Sequence, residues 1–310
     1  MALSGPPPLI LWRLTDGKPG HEKQSLGLAW ALQRLTSAAC HDIAVQVGKP
    51  SPAATMWLQW LLGRFPAGAG LPSPDLILAA GHATHVPALA ARRARGGRIV
   101  VLMRPSLPLA LFDLCLIPAH DRPAPRPNVI ATRGVLNAVD TGGMHDEARG
   151  LILIGGPSRH YRWDDAAIAA QVREIVTVQP AVAWTLTTSR RTPEGFIATL
   201  GSASGLDIRP HAQTPPGWLE EALARSSEVW VSPDSGSMVY ETLTAGCRVG
   251  LLELAPTAGS RIAHDIAGLV EDGMVTPIAR WREEHALKPP GRVFNEAARC
   301  ARAILERWYA

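Results

Sequence analysis

The chain has 310 residues, of which 46% are apolar and 19% are charged, and its formal net charge is +4. This length suits two domains of about 150 residues each, and the composition excludes a largely disordered chain. The weak positive charge is compatible with an anionic ligand or a membrane surface, and the lack of a dense Lys/Arg block with interleaved aromatic residues argues against nucleic acid as a partner.

The first half of the sequence alternates strand-like and helix-like segments. Short apolar runs predict strands, and apolar residues at helical spacing predict the helices between them. The predicted elements are a strand at 9–14, a helix at 22–35, strands at 43–47 and 75–80, a helix at 87–95, and strands at 98–103 and 111–117. This alternation implies a parallel sheet with right-handed crossovers.

The pattern restarts after a polar stretch at 140–150. The predicted elements are a strand at 151–154, a helix at 164–178, a strand at 181–187, a helix at 193–202, a strand at 228–231, a helix at 236–245, a strand at 248–252 and a last helix at 294–309. The sequence therefore predicts an α/β protein with two Rossmann-like domains. We expect them at 1–145 and 146–285, with a C-terminal helix at 286–310 that packs back on the first domain.

Small polar residues follow the predicted strand at 228–231, just where a helix opens. Asp234, Ser235, Gly236 and Ser237 form this turn, and Glu241 lies six residues after Ser235. A helix N-terminus offers free N–H groups and a partial positive charge, so it suits a diphosphate. Glu241 would then accept hydrogen bonds from a ribose. The alternative is a helix capped by Asp234 or Ser235, with Glu241 on a solvated face.

Two further turns are expected at the same sheet edge, where ligands of parallel sheets bind. Ser189, Arg190 and Arg191 follow the strand at 181–187, and two adjacent guanidinium groups match phosphate geometry. The alternative is a solvated loop. Gly155 and Gly156 end the first strand of the second domain. They are a weak signal alone, and their value lies in their position beside the other two turns.

The loop after the first strand contains a candidate general base. Its sequence from Asp16 reads Asp-Gly-Lys-Pro-Gly-His-Glu-Lys-Gln-Ser, and either His21 or Asp16 could take a proton from an acceptor hydroxyl. Ser25 stands where a zinc-protease helix would have its second His, so a zincin motif is excluded. A solvated turn before a capped helix is the alternative.

The segment 55–65 is predicted as a helix that is apolar on most sides. A buried helix is the favoured interpretation, and the alternative is a helix that enters a membrane interface to reach a lipid-linked acceptor. Its apolar residues are Met56, Trp57, Leu58, Trp60, Leu61, Leu62 and Phe65.

Several classes of site and segment find no support in the sequence. It contains no Asp-x-Asp pair, no Gly-x-Gly-x-x-Gly and no Walker pattern, so we expect no metal, no NAD or ATP and no other cofactor. The four cysteines are too far apart in sequence for a Cys-x-x-Cys zinc site. The first dozen residues lack a basic region typical of a signal peptide, and no apolar run reaches the length of a spanning helix. We expect a cytoplasmic protein, with peripheral contact to the inner face of the membrane as a further option.

Six segments in this order resemble the mitochondrial-fission, or elongated-mitochondria-type, family. They include Asp-Gly-Lys-Pro-Gly-His-Glu-Lys-Gln-Ser at 16–25 and Asp-Ser-Gly-Ser-Met at 234–238, and the full set is 16–28, 112–121, 127–130, 151–158, 188–193 and 234–238. Tyr240 departs from the family pattern, which has a small residue before the Glu. The box also resembles the Asp-Ser-Gly-Gly turn of UDP-N-acetylglucosamine epimerases, with Ser237 in place of the second Gly.

The resemblance implies a GT-B fold, in which two Rossmann-like domains face a cleft that holds a nucleotide-sugar. The expected activity is metal-independent glycosyl transfer from a nucleotide-sugar donor to a saccharide or a cell-envelope, lipid-linked acceptor. Two alternatives stay open: a nucleoside-diphosphate-sugar epimerase or hydrolase, and a non-catalytic interaction protein. No nucleic-acid partner is expected.

Overall fold

The computed structural model describes residues 7–45 and 52–309, with no description of the side chains of 52–54. Its contacts divide the chain into two units: unit 1 contains the described residues of 1–138 and 296–310, and unit 2 contains residues 139–295. Within the described part, no helix is both long enough and apolar enough to span a bilayer. The last two residues of the strand predicted at 43–47 lie outside the described residues.

Unit 1 is built on a six-stranded sheet in which every pair of neighbouring strands is parallel, in the order β2-β1-β3-β4-β5-β6. Its elements in chain order are β1 (Leu9–Thr15), α1 (Pro19–Leu35), β2 (Ala38–Ala44), α2 (Pro52–Leu61), β3 (Leu76–Ala80), α3 (His85–Arg95), β4 (Arg98–Leu102), β5 (Leu114–Pro118) and β6 (Val129–Thr132).

Unit 2 contains a second six-stranded parallel sheet, in the order β10-β9-β7-β11-β12-β14, and a short antiparallel pair of β8 and β13. Its elements are β7 (Asp146–Leu153), β8 (Tyr161–Arg162), α4 (Asp165–Val178), β9 (Ala183–Thr187), α5 (Phe196–Leu200), β10 (Leu206–Arg209), α6 (Trp218–Arg225), β11 (Ser226–Val231), α7 (Gly236–Ala245), β12 (Arg248–Leu251), β13 (Ala255–Pro256), α8 (Arg261–Glu271), β14 (Thr276–Pro277) and α9 (Ile278–Glu284). The final helix, α10 (Glu296–Trp308), belongs to unit 1.

Alternate residues of each strand face opposite sides of the sheet and enter two apolar layers. In β1, Leu11 packs in a layer with α1 and α10, whereas Trp12 packs in the layer with α3. All five residues of β3 are buried, as expected for a central strand covered on both faces. The predicted α/β class with two Rossmann-like domains is therefore confirmed.

Two glycines in unit 2 create room for tryptophans in the neighbouring strands. Gly150 pairs with Trp184 and Gly250 pairs with Trp230, and a Cβ atom at either glycine would stand within 2.5 Å of the indole ring. Trp230 also meets Trp281 edge-on, with ring centroids 5.2 Å apart. Small residues in these strands are thus a packing requirement of large aromatic neighbours.

Several sequence predictions differ from the structure. The second strand begins at residue 38 and not 43, and the stretch at 140–150 predicted as a polar linker already contains the start of β7. Six further elements were not predicted from the sequence: β6, β10, α6, α8, α9 and β14. The strands among them have two to four residues, and α6 and α9 have eight and seven. Helix α8 has eleven residues, six of them apolar, so its helical pattern was present in the sequence. The favoured buried-helix interpretation of 55–65 is wrong, because Trp57, Leu58 and Leu61 are exposed.

Two helical glycines give a matched stability test. A Cβ at Gly27 in α1 would stand 1.9 Å from the backbone oxygen of Asn137, whereas a Cβ at Gly268 in α8 meets nothing within 4 Å. We expect Gly27→Ala to lower the free energy of unfolding by about 1–3 kcal/mol through overpacking, and Gly268→Ala to raise it by about 0.5–1 kcal/mol through helix propensity. Denaturant unfolding of both variants measures this, and stabilisation by both would contradict the close approach of α1 to residue 137.

Candidate functional site

The turn between β11 and α7 leaves the start of a helix open. Ser235 occupies the N-cap position, and its side chain makes no capping hydrogen bond. Ser237 is exposed, and Gly236 and Ser235 are partly exposed. The N–H groups of the first turn of α7 are therefore not covered by a side-chain cap, which is the condition under which a helix N-terminus can bind an anion.

The Asp234 side chain is 1% exposed, and its contacts are made within the protein. Its Oδ2 accepts hydrogen bonds from the Gly156 N–H at 3.0 Å and from Arg191 Nη2 at 2.7 Å. Beside it, the Gly155 N–H donates to Ser232 Oγ at 2.7 Å. A Cβ at Gly155 would stand 2.5 Å from Asp234 Oδ1, so a glycine is required for this close approach. The carboxylate therefore holds the turn after β7 against the turn after β11.

Hydrogen bonds also join the turn after β9 to the turn after β7. Ser189 Oγ donates to the carbonyl oxygen of Gly155 at 2.8 Å, and Arg191 Nη1 donates to that of Gly156 at 2.8 Å. Thr192, a site residue that was not predicted from the sequence, donates from Oγ1 to the Ile154 carbonyl oxygen at 3.1 Å. Because β9, β7 and β11 are adjacent and in register, their carboxyl ends bring these three turns together.

The two neighbouring arginines differ in what they contact. Arg191 uses its guanidinium on Asp234 and on two backbone carbonyl groups. Arg190 is exposed, and it makes no hydrogen bond or ion pair with the part of the chain that the structure describes. The structure thus brings Ser189, Arg191 and Asp234 together as a bonded group, and it leaves the charge of Arg190 open to an anion.

Glu241 lies further along α7 and is only 7% exposed, which rules out the solvated position considered above. Its neighbour Tyr240 points into the core, where the hydroxyl donates to Asp265 Oδ2 at 2.6 Å and the ring stacks on Phe294. The large residue at position 240 is therefore accommodated by unit 2 and does not occupy the turn at the start of α7.

In unit 1, Asp16 and His21 form a hydrogen-bonded pair. His21 Nδ1 lies 2.8 Å from Asp16 Oδ2; the Asp16 side chain is 0% exposed and that of His21 is 23% exposed. Asp16 Oδ1 accepts the Lys18 N–H at 3.2 Å, which fixes the carboxylate. Since a carboxylate only accepts, Nδ1 of the neutral ring carries the proton, and Nε2 keeps its lone pair. This is the arrangement of an oriented general base.

Neighbouring strand ends shape the surroundings of His21. Gly81 follows β3 with φ +86°, and a Cβ there would collide with the imidazole ring. Gln24 donates from Nε2 to the carbonyl oxygen of Gly20 at 3.1 Å. Burial, and then the charges of His82 and His21, lowers the pKa of His85 to about 4, so His85 is neutral near pH 7. The contact of Gln24 with this loop was not predicted from the sequence.

Comparison with known families supports the resemblance seen in the motifs. The family model described as Mitochondrial fission ELM1 matches residues 19–308, which is most of the chain. The chain belongs to this mitochondrial fission ELM1 family. No curated protein matches the sequence significantly.

Solved structures place this family member in the GT-B fold. A Listeria monocytogenes protein assigned as a UDP-N-acetylglucosamine 2-epimerase is similar with a TM-score of 0.59 and 14% identity, over 97% of each chain. A UDP-GlcNAc 2-epimerase from Neisseria meningitidis, solved with UDP-GlcNAc, is similar with a TM-score of 0.53 and 11% identity, over 96% of this chain and 99% of that one. A glycosyltransferase of kitacinnamycin is similar with a TM-score of 0.52 and 14% identity, over 97% of this chain and 99% of that one. At these identities the likeness concerns the fold alone.

The adjacent arginines allow a test of the bonded group. Arg191→Ala would leave the buried Asp234 carboxylate without its charged partner, and we expect a loss of about 1.5–3 kcal/mol in the free energy of unfolding. Arg190→Ala, one residue away, should change it by less than about 0.5 kcal/mol, as at other exposed positions. Denaturant unfolding at neutral pH compares the two, and equal effects would show that the Arg191–Asp234 contact does not hold the turns.

Proposed function

We propose that this protein is a metal-independent glycosyltransferase, with the nucleotide-sugar donor bound by unit 2. The observation that carries the proposal is the open N-terminus of α7, with Arg190 on the turn that the bonded group ties to it. A diphosphate there would accept hydrogen bonds from the N–H groups of Gly236 and Ser237 and meet the positive end of the helix dipole. Arg190 would supply a charge-assisted hydrogen bond.

Within this site, Gly155, Gly156, Ser189, Arg191 and Asp234 are positioning residues in our proposal. Their hydrogen bonds to one another fix the backbone on which the donor would lie. Preorganised dipoles of this kind stabilise the charge of a leaving diphosphate without a cation, because they need no reorganisation during the reaction. The missing Asp-x-Asp pair in the sequence fits such a site.

Glu241 is our candidate for the ribose contact. It lies six residues after Ser235, which corresponds to about 9 Å along the helix axis. A nucleoside diphosphate is long enough to reach from the start of α7 toward this carboxylate. The likeness in fold to the Neisseria protein solved with UDP-GlcNAc supports a nucleotide-sugar as the ligand class.

In unit 1, we propose that His21, oriented by Asp16, is the general base for the acceptor. Nε2 would take the proton of an acceptor hydroxyl while the oxygen of that hydroxyl forms a bond to the anomeric carbon of the donor sugar. The bond from that carbon to the diphosphate oxygen breaks, and the nucleoside diphosphate leaves with the electron pair. A saccharide or a lipid-linked cell-envelope molecule supplies the hydroxyl.

Calorimetry with UDP and with pyrophosphate tests the donor site. Ser235→Ala and Arg190→Ala should weaken both ligands, the Arg190 change by about 1.5–3 kcal/mol. Glu241→Gln should weaken UDP and leave pyrophosphate almost unchanged, because pyrophosphate has no ribose. Arg209→Ala is the control, since this exposed arginine pairs with Asp207 on β10. Equal affinity for UDP in wild type and all three variants, or binding that EDTA abolishes and Mn²⁺ restores, would contradict the proposed site.

The general base is tested by Asp16→Asn and His21→Gln. Both should lower kcat about 10²–10⁴-fold, the usual contribution of a positioned base, and leave donor affinity unchanged because the donor binds in unit 2. The reaction is followed by NMR with a UDP-sugar and a mixture of saccharide and lipid-linked acceptors. Release of an epimerised or free sugar with no acceptor product would favour the epimerase or hydrolase alternative.

A further inference from the structure

Helix α2 presents a row of large apolar side chains on the surface of unit 1. Trp57, Leu58, Leu61 and Leu62 are 40%, 55%, 62% and 57% exposed. Their spacing of one, four and five residues places them on one side of the helix and its continuation. Contiguous exposed apolar patches often mark interaction sites, whereas single exposed apolar residues are normal on protein surfaces.

The opposite side of α2 is anchored on unit 1. Trp60 meets Trp57 edge-on, with ring centroids 5.6 Å apart, and the guanidinium of Arg93 lies 5.4 Å from the Trp60 ring. Arg93 belongs to α3, and Phe65, four residues after the end of α2, is buried. The exposed row is therefore the outer face of a helix whose inner face is already packed.

Two basic side chains lie close to the end of the exposed row. Arg64, two residues after Leu62, is exposed. Arg93 of α3 is also exposed, and its Nε would lie 3.9 Å from a Cβ atom at Gly63, the residue between Leu62 and Arg64. Residues 55–74 contain no Asp or Glu, so no acidic side chain of this segment offsets these charges.

We propose that α2 docks the protein on an anionic membrane surface, with the apolar row in the interface and Arg64 and Arg93 at the lipid head groups. An amphipathic helix with basic residues at its border binds such surfaces by apolar burial and by charge attraction together. The exposed area of the row is roughly 400 Å², about half of what each partner contributes to a standard protein interface, which favours lipid over a second copy of the chain.

This surface deepens the proposed function, because a lipid-linked acceptor is presented at a membrane. Docking itself needs neither the donor site nor the general base. A failure of vesicle binding and a failure of nucleotide binding are therefore separate results, and each can occur without the other.

Co-sedimentation of the full chain with lipid vesicles tests the proposal. We expect binding to phosphatidylcholine vesicles that contain about 30 mol% phosphatidylglycerol, little binding to phosphatidylcholine alone, and a clear loss of binding between about 0.1 M and about 0.5 M salt. Leu58→Asp/Leu61→Asp should reduce binding at least about tenfold, because two charges would enter the interface. Arg64→Ala should reduce it less.

Leu35→Asp is the matched control, since Leu35 is 42% exposed at the end of α1 and should bind like the wild type. Leu58→Ser/Leu61→Ser replaces the Asp variant if that one unfolds, as judged by its Tm. Binding that is absent, equal for neutral and anionic vesicles, or unaffected by both α2 variants would overturn the proposal. A dimer in light scattering that the α2 variants abolish would show that the row joins two copies of the chain.

Discussion

A buried carboxylate with a charged partner organises the candidate site of unit 2. Asp234 Oδ2 receives Gly156 N–H and Arg191 Nη2, while its Oδ1 is buried and accepts no hydrogen bond within the described residues. A charge in this setting is costly unless it is paired, so Arg191 compensates the burial and at the same time fixes two loops. The positions of Gly155, Ser189 and the start of α7 follow from this contact.

The same principle operates in unit 1 with a different partner. Asp16 is fully buried, accepts a backbone N–H and binds an imidazole where Asp234 binds a guanidinium. Because a guanidinium does not give up its proton near neutral pH, the Arg191–Asp234 pair can only hold the two loops in position. An imidazole can exchange a proton in this range, and Nε2 of His21 is the ring nitrogen that does not contact Asp16. Similar carboxylates at strand ends thus serve a structural role in one unit and a catalytic role in our proposal for the other.

The sequence was sufficient for the two-domain α/β class and for α7, whose predicted bounds of 236–245 match the structure. Apolar periodicity and the small residues before the helix determine both features locally. The separate roles of Arg190 and Arg191 could not be read from the sequence, because they depend on which side chain reaches Asp234, 43 residues away from Arg191. Likewise β10, with the sequence Leu-Asp-Ile-Arg, is stabilised by its pairing with β9 and carries little signal of its own.

The segment 55–65 shows a further reason why a pattern can mislead. The apolar pattern shows which residues of a helix are apolar, but their burial depends on which neighbours cover them. In α2 one side packs on α3, and the other side is exposed. The net charge of +4 has the same weakness, because it is a sum over the whole chain. A charged ligand responds to the field within about 10 Å, the screening length at 0.1 M salt, and not to that sum. The net charge therefore could not indicate that two exposed arginines, Arg64 and Arg93, lie near the end of the apolar row of α2.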